Sequence, residues 1–205
     1  MTFLAFLTAA LLLAITPGPG ITYIVARTIA GGRPEGFASC VGTTIGGFFH
    51  VLASAFGLSV IVAQSAMAFT VVKYLGAAYL VFIGLRMLFK KHQAMSIPTS
   101  QRQGVRRALI EGVVVETLNI KTALFFLAFL PQFVSVDAPL VPQLVMLGTI
   151  CVLLNTIADL CAVFIAHRLI NSSAQASNRA HFMGRISGAT MLVLGTFLAL
   201  AKREI

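Results

Sequence analysis

Long apolar runs dominate this sequence and restrict its fold more than any other feature. A helix needs about 20 consecutive, mainly apolar residues to cross a bilayer. Six segments come close to or exceed that length, and they lie at about 2–26, 38–65, 70–89, 108–134, 139–166 and 183–201. Little chain is left between them. The sequence therefore predicts an all-α integral membrane protein, in which residues 1–205 form a single transmembrane domain.

The composition and the first apolar run agree with a chain that lies in a membrane. Hydrophobic residues make up 58% of the sequence and charged residues 10%, whereas soluble domains carry about 25% charged residues. The first run lacks a preceding basic stretch and is longer than the apolar core of a secretion signal, and Pro17–Gly20 is a poor cleavage site. We therefore expect this run to be retained as a span.

The positions of the basic residues predict an orientation. If the six spans alternate in direction, eleven of the 15 Lys and Arg residues fall in the first, third and fifth connections. Basic residues favour the cytoplasmic side, so these connections are predicted to be cytoplasmic and both termini outside. The net charge of +9 would also suit binding to nucleic acid. However, most of the basic residues lie between spans, which indicates that they set the membrane orientation and contact anionic lipid. The eleven are Arg27, Arg33, Arg86, Lys90, Lys91, Arg102, Arg106, Arg107, Arg168, Arg179 and Arg185.

The sequence offers no recognisable metal or cofactor site. Its cysteines are Cys40, Cys151 and Cys161, without CxxC or similar ligand spacing. Cys151 and Cys161 are ten residues apart on one predicted helix, about 15 Å by helical rise and too far for a disulfide. We expect small packing residues and no cofactor. A membrane thiol-redox carrier stays open as an alternative.

Two short matches indicate an internal repeat. The third span reads KYLGAAYLVFIGLRML from Lys73, the sixth reads RISGATMLVLGTFLAL from Arg185, and spans two and five share a Gly-Thr pair. The matches predict halves at about 1–95 and 105–205. Because each half has an odd number of spans, the second half is inserted upside down. Such inverted repeats bind substrate near the midplane on interrupted helices, here the first span of each half.

The first span carries its interruption at Thr16, Pro17, Gly18, Pro19 and Gly20. The two prolines remove backbone donors, and the glycines weaken the helix further. The helix must therefore kink or unwind. Freed carbonyl groups cannot face lipid, so this segment is predicted to line a cavity rather than to be a simple proline kink.

The first span of the second half carries Glu116, Asn119 and Lys121 near its middle. Ionisable groups at that depth are costly, and they are candidates for function by default. The structural alternative is a Glu116–Lys121 ion pair that neutralises itself.

Three further polar residues lie at similar depth. His50 continues a stripe of small residues at four-residue spacing and is either a hydrogen-bonded core residue or a working one. Asn155 and Asp159 share one face of the fifth span. Asp159 must either pair or titrate. These scattered groups do not form the repeated polar rings of a channel, so a channel is not predicted. They also lack a nucleophile–base arrangement, so no enzyme is predicted.

Several motifs together resemble the LysE/RhtB amino-acid exporters. They are TPGPG in the first span, a glycine-rich second span, KYLGAAYLVFIG in the third and LNIKTALFFLAFLPQF in the fourth, in order over nearly the whole chain. The residues that match family motifs are Thr16, Pro17, Gly18, Pro19, Asn119, Lys121, Pro131 and Gln132. The family usually has Asn-Pro-Lys where this sequence has Asn119-Ile120-Lys121, so an unwound turn is less expected there.

The resemblance implies a multi-pass protein of the bacterial inner (plasma) membrane that exports amino acids or their derivatives, driven by the proton gradient. In this hypothesis the backbone around Thr16–Gly20 and Asn119 hold the zwitterion, Lys121 faces its carboxylate, and Glu116 or Asp159 faces its ammonium group. One carboxylate exchanges a proton between the two sides. A transporter of the same fold for metal ions stays open as an alternative, and so does a homo-oligomer packed through the glycine stripes.

Overall fold

The computed structural model describes residues 3–58, 66–89, 102–135, 137–169 and 189–200. Within these ranges the chain is helical and contains no strand. The helices are α1 Phe3–Ile15, α2 Pro19–Ala53, α3 Ala66–Phe89, α4 Val105–Thr117, α5 Ile120–Leu124, α6 Leu140–Leu169 and α7 Ala189–Leu200.

Two helices continue beyond their α-helical ends as π-helical or 3₁₀ turns. A π-helical turn, Ser54–Leu58, follows α2. The helix α5 continues as a π-helical turn at Phe125–Phe129 and a 3₁₀ turn at Leu130–Phe133. Most of the aromatic side chains in this extension are buried, and they form the main hydrophobic core together with α1, α3, α6 and α7.

The predicted break in the first span is confirmed. The helix α1 ends at Ile15, and α2 begins at Pro19 with Gly18 extended before it (φ −137°, ψ −170°). Proline suits the first position of a helix because that position needs no backbone donor. Pro17 cannot donate to the carbonyl group of Leu13, its regular partner four residues back, so the last turn of α1 cannot propagate.

The first span of the second half is also interrupted, although the proline of the family motif is absent. The helix α4 ends at Thr117 and α5 begins at Ile120, with a bend of 40° between α4 and the helical segment that starts there. In place of the proline, Asn119 starts the new helix. Its backbone is extended, and its side chain accepts a hydrogen bond from the Lys121 amide at 3.1 Å, which caps the new helix.

The number of membrane spans stays a prediction, as does the inverted repeat. Among the described residues, Pro19–Gly57 and Leu140–Arg168 are long and apolar enough to cross a membrane. The bent pair Val105–Thr117 and Ile120–Phe133 gives a third if it counts as one span. Gly32 interrupts α2, since its φ of 76° is a conformation that favours glycine. The helices α1 and α7 are apolar but shorter.

Some side chains differ from their predicted surroundings. Arg27, expected in a cytoplasmic connection, lies within α2 and is 2% exposed because it pairs with Glu35 across the Gly32 kink. Cys40 and Cys151 are buried packing residues, as predicted, whereas Cys161 is exposed on α6. All three thiols are free.

Candidate functional site

The two helix breaks meet through Lys121. Its amino group donates hydrogen bonds to the carbonyl oxygens of Thr16 at 2.8 Å and Leu13 at 3.1 Å. Both carbonyl groups lie at the end of α1. Because Pro17 has no N–H, it cannot donate the usual helical hydrogen bond to the Leu13 oxygen. A side chain from one break therefore binds the backbone that the other break exposes.

Glycine at position 18 leaves room for this contact. A methyl group there would lie 3.1 Å from both Cε and Nζ of Lys121, which is closer than most carbon contacts in proteins. The second glycine of the TPGPG segment has a similar role, because a methyl group at Gly20 would lie 2.8 Å from Oε2 of Glu116. The small residues of the first break thus allow charged side chains of the second half to approach the backbone.

A polar cavity lies beside the breaks, between α2, α4, α5 and α6. Its free volume is about 20 Å³, enough for about one water molecule. Six of the predicted site residues line it: Gly20, Glu116, Asn119, Lys121, Asn155 and Asp159. The other lining residues are Ile21, Thr43, Thr44, Gly47, Thr122, Val152 and Thr156.

Glu116 is held on one wall of the polar cavity by its own segment. The Asn119 side-chain amide donates to Oε2 at 2.9 Å, and the Thr122 hydroxyl donates to Oε1 at 2.6 Å. Both carboxylate oxygens therefore have donors, which compensates part of the cost of burial. Among the described residues, Glu116 and Lys121 form no ion pair, so the self-neutralising pair considered from the sequence is not formed.

Asp159 of α6 also lines the polar cavity, and its carboxylate accepts fewer hydrogen bonds than that of Glu116. The Thr43 hydroxyl of α2 donates to Oδ2 at 2.8 Å. Within the described part of the chain no hydrogen bond reaches Oδ1, although the residue is only 7% exposed. One helical turn away, the hydroxyls of Thr44 and Thr156 lie 2.9 Å apart and join α2 to α6. Asp159 therefore has one carboxylate oxygen available to a proton, a water molecule or a ligand.

A larger, mainly apolar cavity of about 280 Å³ also borders the breaks. It contains the remaining backbone of the first break together with side chains of α3, α7 and the second break. Asn119 and Lys121 line both cavities and so lie at the partition between them. The residues lining this apolar cavity are Thr16, Pro17, Gly18, Pro19, Tyr79, Leu118, Asn119, Ile120, Lys121 and Met191.

His50 is a site residue predicted from the sequence that lines neither cavity. Its Nε2 lies 2.8 Å from the carbonyl oxygen of Glu116, and a carbonyl can only accept, so Nε2 carries the hydrogen. The same carbonyl accepts from the Asn119 amide at 3.0 Å. His50 therefore positions the end of α4. Asn155 lines the polar cavity, while its amide group donates back to the Cys151 carbonyl.

The hydroxyl groups of the polar cavity were not predicted from the sequence. Thr43, Thr44, Thr122 and Thr156 all line it, yet threonine is common in membrane helices and satisfies itself by bonding to its own backbone. The only available signal was the shared Gly-Thr pair, whose first copy contains Thr43.

A second charged cluster, also missed, lies outside both cavities. Arg27 Nε donates to Glu35 Oε2 at 3.1 Å, and Glu35 Oε1 accepts from the backbone amides of Gln103 and Gly104 at 3.1 and 3.0 Å. Glu35 thereby ties the Gly32 kink to the start of α4. Arg27 and Glu35 are 2% and 3% exposed, so the cluster is a buried connection between α2 and α4.

Buried polar groups at two helix interruptions, inside a protein of long apolar helices, are features that membrane transport proteins share. The comparison with protein families agrees with this class. The family described as LysE type translocator matches residues 11–202. The chain belongs to this family and is therefore a transporter, not an enzyme.

Individual relatives resemble the chain over most of its length. The "Uncharacterized membrane protein YrhP" of Bacillus subtilis is 30% identical over 173 residues, which cover 80% of this chain and 82% of the relative. An "Uncharacterized membrane protein" of Vibrio cholerae is 28% identical, with 98% and 97% covered. The "Homoserine/homoserine lactone efflux protein" of Salmonella typhimurium is 26% identical, with 98% and 99% covered. No solved structure matches significantly.

Proposed function

We propose that this protein is a secondary transporter that exports amino acids or amino-acid derivatives across the bacterial inner membrane in exchange for protons. The observation that carries the proposal is the meeting of two interrupted helices at the partition between two cavities, through the bond from Lys121 to the carbonyl groups of Leu13 and Thr16. The efflux activity in the name of the Salmonella relative supports the direction and the substrate class.

The helix pattern supports six spans in two inverted halves. The segment Pro19–Gly57 has 39 residues, about 58 Å of helix, whereas the hydrocarbon core is about 30 Å thick. The kink at Gly32 divides it, so α1 with the start of α2 forms one interrupted span and the rest of α2 forms the next. The interrupted pair α4 and α5 begins the second half in the same way. Cytoplasmic odd connections complete the proposed topology.

The two breaks present complementary groups to a zwitterion. The N-terminal end of α2 reaches the polar cavity at Gly20, and backbone amides at such an end favour a carboxylate. Glu116 and Asp159 on the cavity walls favour a positively charged group. The free volume of about 20 Å³ is too small for an amino acid, so the cavity must widen before it can hold one. The cavity must widen toward each side in turn, as alternating access requires.

Asp159 is the better candidate for the coupling proton. Both oxygens of Glu116 already accept hydrogen bonds from neighbouring side chains, whereas Oδ1 of Asp159 accepts none from the described residues. A proton on Oδ1 would leave the bond from Thr43 to Oδ2 intact. Asp159 can therefore be protonated without breaking the network that surrounds it, which a carrier of protons between two sides needs.

Transport by everted membrane vesicles tests the proposed function. Vesicles that contain the protein and are energised to acidify their interior should accumulate at least one labelled amino acid or amino-acid lactone. A protonophore should abolish the accumulation, because the proton gradient drives it. Vesicles with the same amount of a Lys121→Ala variant serve as the control for expression. Accumulation that persists with the protonophore, or none for any compound of the panel with folded protein present, would contradict the proposal.

A further inference from the structure

We propose that the carbonyl groups of Leu13 and Thr16 form a binding site for a primary ammonium group, which Lys121 occupies as an internal ligand in this structure. The inference rests on the proposed function in one respect: the external ligand that replaces Lys121 during transport is the ammonium group of the exported compound. The site itself is defined by the geometry of the first break.

The geometry suits an ammonium ion. Two carbonyl oxygens converge on one nitrogen at 2.8 and 3.1 Å, and a primary ammonium group offers three N–H donors. These oxygens belong to the end of α1, where the helix dipole carries partial negative charge. Pro17 denies the Leu13 oxygen its normal helical donor. The backbone therefore presents a site for a cationic donor that a continuous helix would not have.

Lys121 has the properties of a ligand that can be displaced. Its ammonium group ends a flexible four-carbon stem, and among the described residues it bonds only to these two backbone oxygens and forms no ion pair. Its departure would therefore leave no carboxylate unpaired. The absence of a side chain at Gly18 gives the end of the stem its space, and a small amine could enter that space if the stem were removed.

The position of Lys121 connects this displacement with transport. Lys121 lies at the partition between the polar and the apolar cavity. If a substrate ammonium group takes the carbonyl groups, the released side chain can turn toward Glu116 and Asp159, which line the polar cavity and attract a cation. Displacement by substrate would thus open the partition only when the substrate is present.

The experiment measures the thermal stability of purified Lys121→Ala protein with added amines. We expect ethylammonium and propylammonium to raise its Tm in a saturable way, by roughly 5 °C at about 100 times the dissociation constant. Tetramethylammonium, which has no N–H group, and sodium chloride at equal ionic strength are the matched controls and should have no such effect. Wild-type protein should respond less, because Lys121 competes for the same oxygens.

Each outcome decides the inference. Equal stabilisation by tetramethylammonium or by salt, or no stabilisation by any amine, would overturn it. If Lys121→Ala folds poorly, Lys121→Met retains the stem without the ammonium group, and methylammonium or the ammonium ion replaces the longer amines. Failure of both variants to fold even with these ions present would mean that Lys121 is a structural bond, which also overturns the inference.

The stability measurement needs no transport, so it is separable from the proposed function. Wild-type protein that exports amino acids, combined with a Lys121→Ala variant that ignores amines, would contradict only the ammonium site. Stabilisation by amines in a protein that exports no amine-bearing compound would support the site and contradict the proposed function.

Discussion

Vesicles containing Asp159→Asn are expected to lose proton-driven accumulation of the exported compound completely, while exchange of labelled for unlabelled compound persists. Asparagine is close to aspartic acid in size, and its side-chain oxygen can still accept the Thr43 hydrogen bond of 2.8 Å. It cannot bind and release a proton. Net movement coupled to the proton gradient should therefore stop, while exchange, which needs no net proton transfer, continues. The measurement compares both modes in the same vesicles.

Asp137→Asn is the matched control for this change. Asp137 is exposed between the 3₁₀ turn and α6, and it lines neither cavity. Its variant should keep both modes at wild-type levels. If Asp159→Asn still accumulates the compound in a protonophore-sensitive way, Asp159 does not carry the coupling proton, and Glu116→Gln becomes the next variant to test.

Replacing Pro17 and Pro19 together by alanine is expected to lower transport by about 30-fold while leaving the protein as stable as the wild type or more so. The amides at positions 17 and 19 could then bond to the carbonyl groups of Leu13 and Ile15 and continue α1 into α2. Each regained bond is worth about 1 kcal/mol, so two favour the continuous helix by about 2 kcal/mol, a factor of about 30. Initial rates and Tm are measured on the same preparation.

The Pro139→Ala variant controls for the loss of a proline as such. Pro139 is exposed just before α6, so its replacement should change neither quantity. Normal transport by the Pro17/Pro19 double variant would show that the interruption of the first helix is not needed for function. Reduced transport together with a large loss of stability would indicate that the prolines serve folding instead.

The sequence was sufficient for features that depend on local backbone chemistry. Pro17 and Pro19 remove donors wherever they stand in a helix, so the first break could be predicted without knowledge of its surroundings. Buried ionisable groups such as Glu116 and Asp159 are conspicuous in apolar runs for a similar reason, namely the cost of placing charge in lipid. Both carboxylates indeed line one cavity.

The partners of these groups could not be predicted. The sequence left a Glu116–Lys121 ion pair open as an alternative, but the Lys121 amino group binds the backbone of the first break, more than a hundred residues away in sequence. The second break needed an asparagine cap rather than the proline of the family motif. The pair of Arg27 and Glu35 was missed because the sequence assigns both to a connection, whereas helical structure continues through it. Such contacts depend on how the helices pack, which apolar periodicity does not specify.

Substrate protection of a cysteine at position 155 tests most directly whether the substrate binds where the two breaks meet. In protein whose three native cysteines are replaced by serine, Asn155→Cys places a thiol on the wall of the polar cavity. Asp137→Cys, exposed outside the cavities, is the matched control. We expect the exported compound to slow labelling by a small maleimide at position 155 and to leave the rate at position 137 unchanged. Equal rates at position 155 with and without a compound that this protein demonstrably exports would contradict it.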